Sequence, residues 1–175
     1  MNIYLRYLEE KDAAGMLEWM TDPMIVCFFR FDASKITLDS CREFIAASDK
    51  ERSTRHYAIV DEKDTYLGTI SLKNIDQNKK SAEYAISTRK CAHGTGAAMK
   101  ATQGLLCIAF LELGLERVYL NVMKENGRAN KFYRKAGFSF IYCEEHAVEI
   151  RNEWKDLNWY EISRTAFIEE YENGK

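Results

Sequence analysis

The sequence contains a single proline, Pro23, in 175 residues, and no apolar run approaches the length needed to cross a bilayer. Its five cysteines, at 27, 41, 91, 107 and 143, form no Cys-x-x-Cys pair, and an odd, scattered set argues for free thiols rather than a disulfide framework. The three histidines share no metal-ligand spacing, so no metal is expected. The opening residues, Met1-Asn2-Ile3-Tyr4-Leu5-Arg6, lack the apolar core of a signal peptide. An excess of one charge is missing as well: the net charge of -2 leaves no basic footprint for general nucleic-acid binding. No linker, repeat or low-complexity tract interrupts the chain. These absences point to a cytoplasmic protein with neither nucleic acid nor membrane as partner. The remaining composition, 46% hydrophobic, suits one compact domain over residues 1–175.

Within that domain the stretch from Ser81 to Thr102 carries the clearest local signal. Alternation of Ala82, Tyr84 and Ile86 with Glu83, Ala85 and Ser87 predicts a strand, which breaks at Arg89 to Gly96 before helix formers resume. A helix starting there turns its unpaired N–H groups and positive dipole end into the turn, and two glycines let a ligand approach the backbone. This is the pattern of an anion site. A dinucleotide fingerprint would need a small residue where Met99 stands, and a P-loop would need lysine and a hydroxyl residue where Ala97 and Ala98 follow Gly96. The dinucleotide match is weak and the P-loop match fails, while a tight strand-to-helix turn with no ligand stays open.

A second stretch follows the β-rich run Val118 to Val122. Asn126 is suited to cap a short helix that ends at Gly137. Taken singly, Asn126 as a cap, Tyr133 as a packing residue and Gly137 as a stop need no function. Their joint spacing asks for more.

Together these stretches resemble the GNAT superfamily of N-acetyltransferases. Cys91-Ala92-His93-Gly94-Thr95-Gly96 is similar to its acyl-CoA pyrophosphate loop, Gln/Arg-x-x-Gly-x-Gly/Ala, with Cys91 standing where the family has Gln or Arg. Asn126, Ala129, Tyr133, Gly137 and Phe138 match its Asn-x-x-Ala-x-x-x-Tyr-x-x-x-Gly-Phe signature at every position. The runs Leu5 to Ala13, Leu17 to Pro23 and Glu153 to Tyr160 look like the RimJ/RimL-type branch, whose members acetylate ribosomal-protein N-termini, polyamines and nucleotide-linked amino sugars. Ile36-Thr37-Leu38 and Arg55-His56-Tyr57 lean the reading toward the amino-sugar group.

The periodicities fit such an α/β (α+β) fold. Strands are expected over Asn2 to Leu8, Arg55 to Asp61, Tyr66 to Asn74, Ser81 to Thr88 and Val118 to Val122. A closing hairpin, Ser139 to Ile150 with Trp154 to Ser163, is expected to turn at Arg151-Asn152-Glu153. Helices are expected over Glu9 to Met20, Thr37 to Ser48, Thr95 to Leu113 and Asn126 to Gly137. Gly68 marks a bulge or a close contact. The expected architecture is a mixed, mostly antiparallel sheet with helices on both faces.

The resemblance implies acetyl-CoA as cosubstrate and direct attack by a small primary amine in a ternary complex. It implies that the backbone N–H groups from His93 to Ala97 hold the pyrophosphate, and that an N–H near Ile86 or Thr88 polarises the acetyl carbonyl where the central strand splays from its neighbour. Asn126 and Ala129 then line the pantetheine arm, and Arg128 or Lys131 meets the nucleotide phosphates. Tyr133 becomes the general acid. Its ordinary pKa of about 10, against about 8.5 for a thiol, puts full proton transfer uphill by roughly 2 kcal/mol. Glu83 is the carboxylate candidate for the base, and His56 a weaker one. Arg30 and Phe31, in the cluster from Cys27 to Phe31, are candidates for the acceptor together with His56. The plain alternatives are core packing for the phenylalanines and a sheet-surface charge for Glu83. An N-terminal protein or polyamine acceptor, a homodimer, and a non-catalytic acyl-CoA sensor also stay open. Cys91 is either a thiol activated at a helix N-terminus or a small filler.

Overall fold

The computed structural model describes residues 1–48 and 50–173, the last three of these by backbone alone. Seven strands form one sheet in the order β1-β2-β3-β4-β5-β7-β6. They run over Ile3–Tyr7 (β1), Arg55–Asp61 (β2), Tyr66–Asp76 (β3), Ser81–Thr88 (β4), Arg117–Met123 (β5), Ser139–Ile150 (β6) and Glu153–Ser163 (β7). Every neighbouring pair is antiparallel except β4 with β5. That exception has a topological cause, since a parallel return needs a crossover and a helix provides it.

The crossover helix is α4, Ala97–Cys107, continued by a π-helical turn over Ile108–Glu112. Its buried positions Ala97, Ala101, Leu105 and Leu106 recur at helical spacing and face the sheet. Each buried leucine contributes about 2 kcal/mol by removing apolar surface from water. On the same face lie α5, Gly127–Lys135, and α6, Arg164–Asn173, which add Tyr133 and Phe167 to that core. The opposite face carries α1, Ala13–Thr21, α2, Pro23–Val26, and α3, Leu38–Ala47. Met16, Trp19, Cys41 and Ile45 from these helices pack on Ala58, Val60 and Tyr66. The expected GNAT-like architecture, helices on both faces of a mixed sheet, is what is found.

The differences from expectation are local. The first helix stops at Thr21, as Thr21-Asp22-Pro23 leads one to expect, but Pro23 then starts a short helix of its own, α2, with the Asp22 carboxylate accepting from the Met24 N–H as its cap. The crossover helix begins at Ala97 rather than Thr95, because Gly96 sits in the left-handed region, φ 82°, just before it. The final hairpin turns on two residues, Arg151 and Asn152, both with positive φ, and Glu153 already belongs to β7. The helix α6 was not anticipated.

Gly68 meets both expectations placed on it. It lies beside a register shift in the β2–β3 ladder, and it stands opposite Thr88 in β4. A Cβ there would fall 2.3 Å from the Ser87 carbonyl oxygen and 2.8 Å from the Thr88 Cα. Both are backbone atoms, so the strand itself would have to move. Gly68→Ala is expected to lower stability by about 2 kcal/mol in chemical denaturation, whereas Gly104→Ala, whose Cβ would meet only Leu5 side-chain atoms at 3.4 Å or more, should be close to neutral.

Candidate active site

The site begins where β4 leaves β5. Their parallel pairing covers only Ser81, Ala82 and Glu83, opposite Arg117, Val118 and Tyr119. Beyond Glu83, β4 continues to Thr88 paired on one side alone, with β3. The Arg89 N–H bonds the Leu67 carbonyl at 2.8 Å, one step past the Gly68–Thr88 pair in an unbroken register. Bonded pairs alternate along an antiparallel ladder, so Glu83, Ala85 and Ser87 direct their backbone groups at β3. Ile86 and Thr88 therefore aim their N–H groups into the gap left by β5. The expected splay is present, and its two expected N–H donors face it.

Above the gap the chain runs through Arg89 into a 3-10 turn, Lys90–Ala92, and then the two glycines. Gly94 and Gly96 have φ of 75° and 82°, a region costly for any residue with a Cβ, and both face open space. The loop spends part of its donor set on itself. The His93 N–H bonds Lys90 O, the Thr95 N–H bonds Ala92 O, and the Ala97 N–H bonds Thr95 Oγ1. The N–H groups of Gly94, Gly96, Ala98 and Met99 take no partner among the described residues. The expected run of donors from His93 to Ala97 is thus corrected: alternate residues hold the loop's shape, and the free set extends further into the first turn of α4. Cys91 is exposed at the start of the loop.

The helix α5 borders the loop from the other side. Arg128 bonds His93 Nδ1 at 3.3 Å, which sets a guanidinium beside the glycines. Burial, and then this neighbouring charge, hold the His93 imidazole below its usual pKa, so the ring is neutral at pH 7. Asn126 caps α5 by accepting from the Ala129 N–H at 3.1 Å, and Ala129 packs on the main core. Lys131 is exposed on the same helix.

Tyr133 projects from α5 toward β4. Its ring meets Tyr84 edge-on at 5.8 Å and also touches Phe138 and Tyr160. Burial drives its pKa well above 10, so it is protonated throughout the physiological range. The hydroxyl makes no hydrogen bond with any described residue, yet no fully buried side-chain oxygen or nitrogen among them lacks a partner. The hydroxyl therefore keeps contact with solvent. Tyr84 provides the contrast, since its hydroxyl is spent on Thr102 at 2.7 Å.

The other face of the gap opens into a cleft of about 210 Å³. Met16, Trp19, Met20, Phe29 and Phe44 form its apolar wall, and His56, Thr69, Ser71, Lys73 and residues 85–87 form its floor. His56 Nδ1 bonds Ser71 Oγ at 2.7 Å, and burial, helped by Lys73, keeps its ring neutral. Glu83 lies on the same sheet face at the root of the splay. Both its carboxylate oxygens are engaged, one by Lys73 Nζ at 3.3 Å and one by Asn74 Nδ2 at 2.8 Å. Phe31 stacks in a cluster with Trp19 and Phe29 behind the wall, while Arg30 reaches across to Asn121 of β5 at 3.3 Å.

Residues 2–139 match the family described as the acetyltransferase (GNAT) domain. The chain belongs to the GNAT acetyltransferases. Among its GNAT relatives, the spermidine N(1)-acetyltransferase of Vibrio cholerae is 25% identical over 167 residues, 94% of each chain. That of Escherichia coli is 30% identical over 139 residues, 77% of this chain and 67% of the relative. The crystal structure of spermidine N-acetyltransferase from Vibrio cholerae in complex with CoA and spermine has a TM-score of 0.86 at 22% identity, covering 95% of this chain and 98% of that one. The GNAT reading of the sequence is upheld; these relatives are polyamine enzymes rather than members of the amino-sugar group toward which it leaned.

One structural residue escaped the sequence reading. Asn130 is buried in α5 and ties three elements together. Its Nδ2 donates to the carbonyls of Met123 and Asn126, and its Oδ1 accepts from Asn158 Nδ2 and the Tyr160 hydroxyl, both at 2.8 Å. An amide one turn before Tyr133, on its inward side, was the available signal. Asn130→Ala strands donors on β7 and carbonyls on the β5 side, and is expected to cost about 2–3 kcal/mol in urea unfolding; Asn158→Ala, which removes a single donor, should cost less.

Proposed function

We propose that this GNAT enzyme transfers the acetyl group of acetyl-CoA to the primary amine of a small molecule by direct attack, with the gap between β4 and β5 as the place of reaction. The observation that carries this reading is the meeting of three features at one gap: unpaired strand N–H groups, an unpartnered tyrosine hydroxyl and a cleft on the opposite face. A sensor has no need of the last two. Acetyl-CoA supplies the activated acyl group, and the other tasks fall to this chain. The free N–H groups of Gly94, Gly96, Ala98 and Met99, at the positive end of α4, suit a pyrophosphate, and Arg128 adds charge beside them. The N–H groups of Ile86 and Thr88 are placed to stabilise the charge that develops on the acetyl oxygen.

Tyr133 acts as the general acid. Its raised pKa makes it a poorer acid in isolation, but the departing thiolate is desolvated in the same gap and becomes a stronger base for the same reason. Glu83 is assigned as the base, through water, because it is the carboxylate at the root of the splay on the cleft side. His56, Phe31 and Arg30 belong to the acceptor's surroundings. The relatives' names put spermidine among the first amines to test, and the amino-sugar and N-terminal-peptide acceptors are ranked after it on that basis alone.

Tyr133→Phe is expected to lower kcat for amine acetylation by about 100-fold or more, while acetyl-CoA still raises the thermal transition as it does in the wild type. A rate within twofold of wild type would remove Tyr133 from the mechanism.

A further inference from the structure

The acceptor cleft has a charge pattern that the relatives' substrate does not explain. Among the described residues no carboxylate lines it: its lining is apolar and aromatic, with three hydroxyls, a neutral histidine and Lys73, and Glu51 acts on that histidine only from outside. Glu83, just outside, is already neutralised by Lys73. Further along the sheet Glu161 is paired with Arg117, while Glu144 accepts the neutral Trp159 indole N–H. At the opposite rim the balance is positive. Arg30, next to the wall residue Phe29, holds the neutral Asn121 side chain and has no carboxylate within ion-pair distance among the described residues. Arg151, from the β6–β7 turn, bonds the Cys27 carbonyl at the start of the same segment. Asp32, the acid of that segment, is bonded to Ser34 and faces Lys35 and Arg151.

We infer that the amine acetylated by this chain carries an anionic group, phosphate or carboxylate, which Arg30 binds at the rim while the amine enters the gap. The inference rests on the acetyltransferase reading above and names its substrate class. A guanidinium whose other partner is a neutral amide keeps its donors for a planar or tetrahedral oxyanion. A polyamine meets the reverse situation. After its attacking nitrogen has lost a proton, an ammonium group carried to that rim stands beside Arg30.

The test is a matched series of acceptors of three to six carbons: aminoalkyl phosphates, aminoalkyl carboxylates and aminoalcohols, with spermidine beside them. CoA thiol release from acetyl-CoA is followed in the wild type and in Arg30→Gln and Arg30→Glu. The expected result is a kcat/KM for an anionic amine at least tenfold above its matched alcohol and above spermidine. The anionic-to-neutral ratio should fall about tenfold in Arg30→Gln, and preference should turn toward spermidine in Arg30→Glu. The phosphate and carboxylate arms tell which oxyanion is used. A retained acetyl-CoA thermal shift shows that the variants are folded. Spermidine as the best acceptor, or an anionic preference that Arg30→Gln leaves unchanged, overturns the inference while the acetyltransferase reading stands. Turnover with no amine in the series overturns both.

Discussion

The site depends on the failure of two strands to stay together. A sheet normally satisfies the backbone on both sides of an inner strand, and leaving donors unpaired in a protein interior is costly. β4 and β5 pair for three residues and then part, so the donors of Ile86 and Thr88 are kept for something other than the sheet. Nothing in β4's own composition forces the divergence; what maintains it is the packing on each side. On one face Tyr133, Tyr84 and Phe138 occupy the space a closing strand would need, and on the other the Phe28 to Phe31 segment lies over the gap and is tied to β5 through Arg30 and Asn121.

The same economy of donors shapes the glycine loop. A loop that offered every N–H outward would have nothing to hold its shape, and one that used them all internally would bind no anion. Here the alternation of bonded and unbonded amides from His93 to Ala98 separates the two tasks, and the left-handed glycines are what make the alternation possible. Tyr133 shows a related division of labour. The helix that carries it is fixed through Asn130, which spends its whole amide on Met123, Asn126, Asn158 and Tyr160, while the tyrosine hydroxyl takes no partner among the described residues.

Much of this was legible in the chain. The strand, the two glycines and the Asn126 to Phe138 spacing are local patterns, and local patterns survive in sequence; they located the loop and Tyr133, while the gap was expected only from the family resemblance. Which loop amides are free was not legible, because it depends on turns closing over three residues and on the Thr95 hydroxyl folding back onto the Ala97 N–H. Asn130 was missed because its partners Asn158 and Tyr160 lie 28 and 30 residues away. The cleft was half legible: the aromatic cluster and Arg30 stood out, but Lys73 and its pairing with Glu83 arise only when β3 and β4 come into register. The lean toward amino sugars rested on fragments too short to specify a substrate. The helix α6 carries little amphipathic pattern of its own and, among the described residues, is placed by Phe167 with Ile168 beside it on the core.

The central claim is that the amides left unpaired by the splayed strand and the glycine loop receive the acyl donor. The most direct measurement is the amide nitrogen–proton spectrum of the protein titrated with acetyl-CoA. The account predicts the largest shifts at Ile86, Thr88, Gly94, Gly96, Ala98 and Met99, with smaller ones at the internally bonded His93, Thr95 and Ala97. Shifts confined to other surfaces, with these six amides unmoved at saturation, would contradict it.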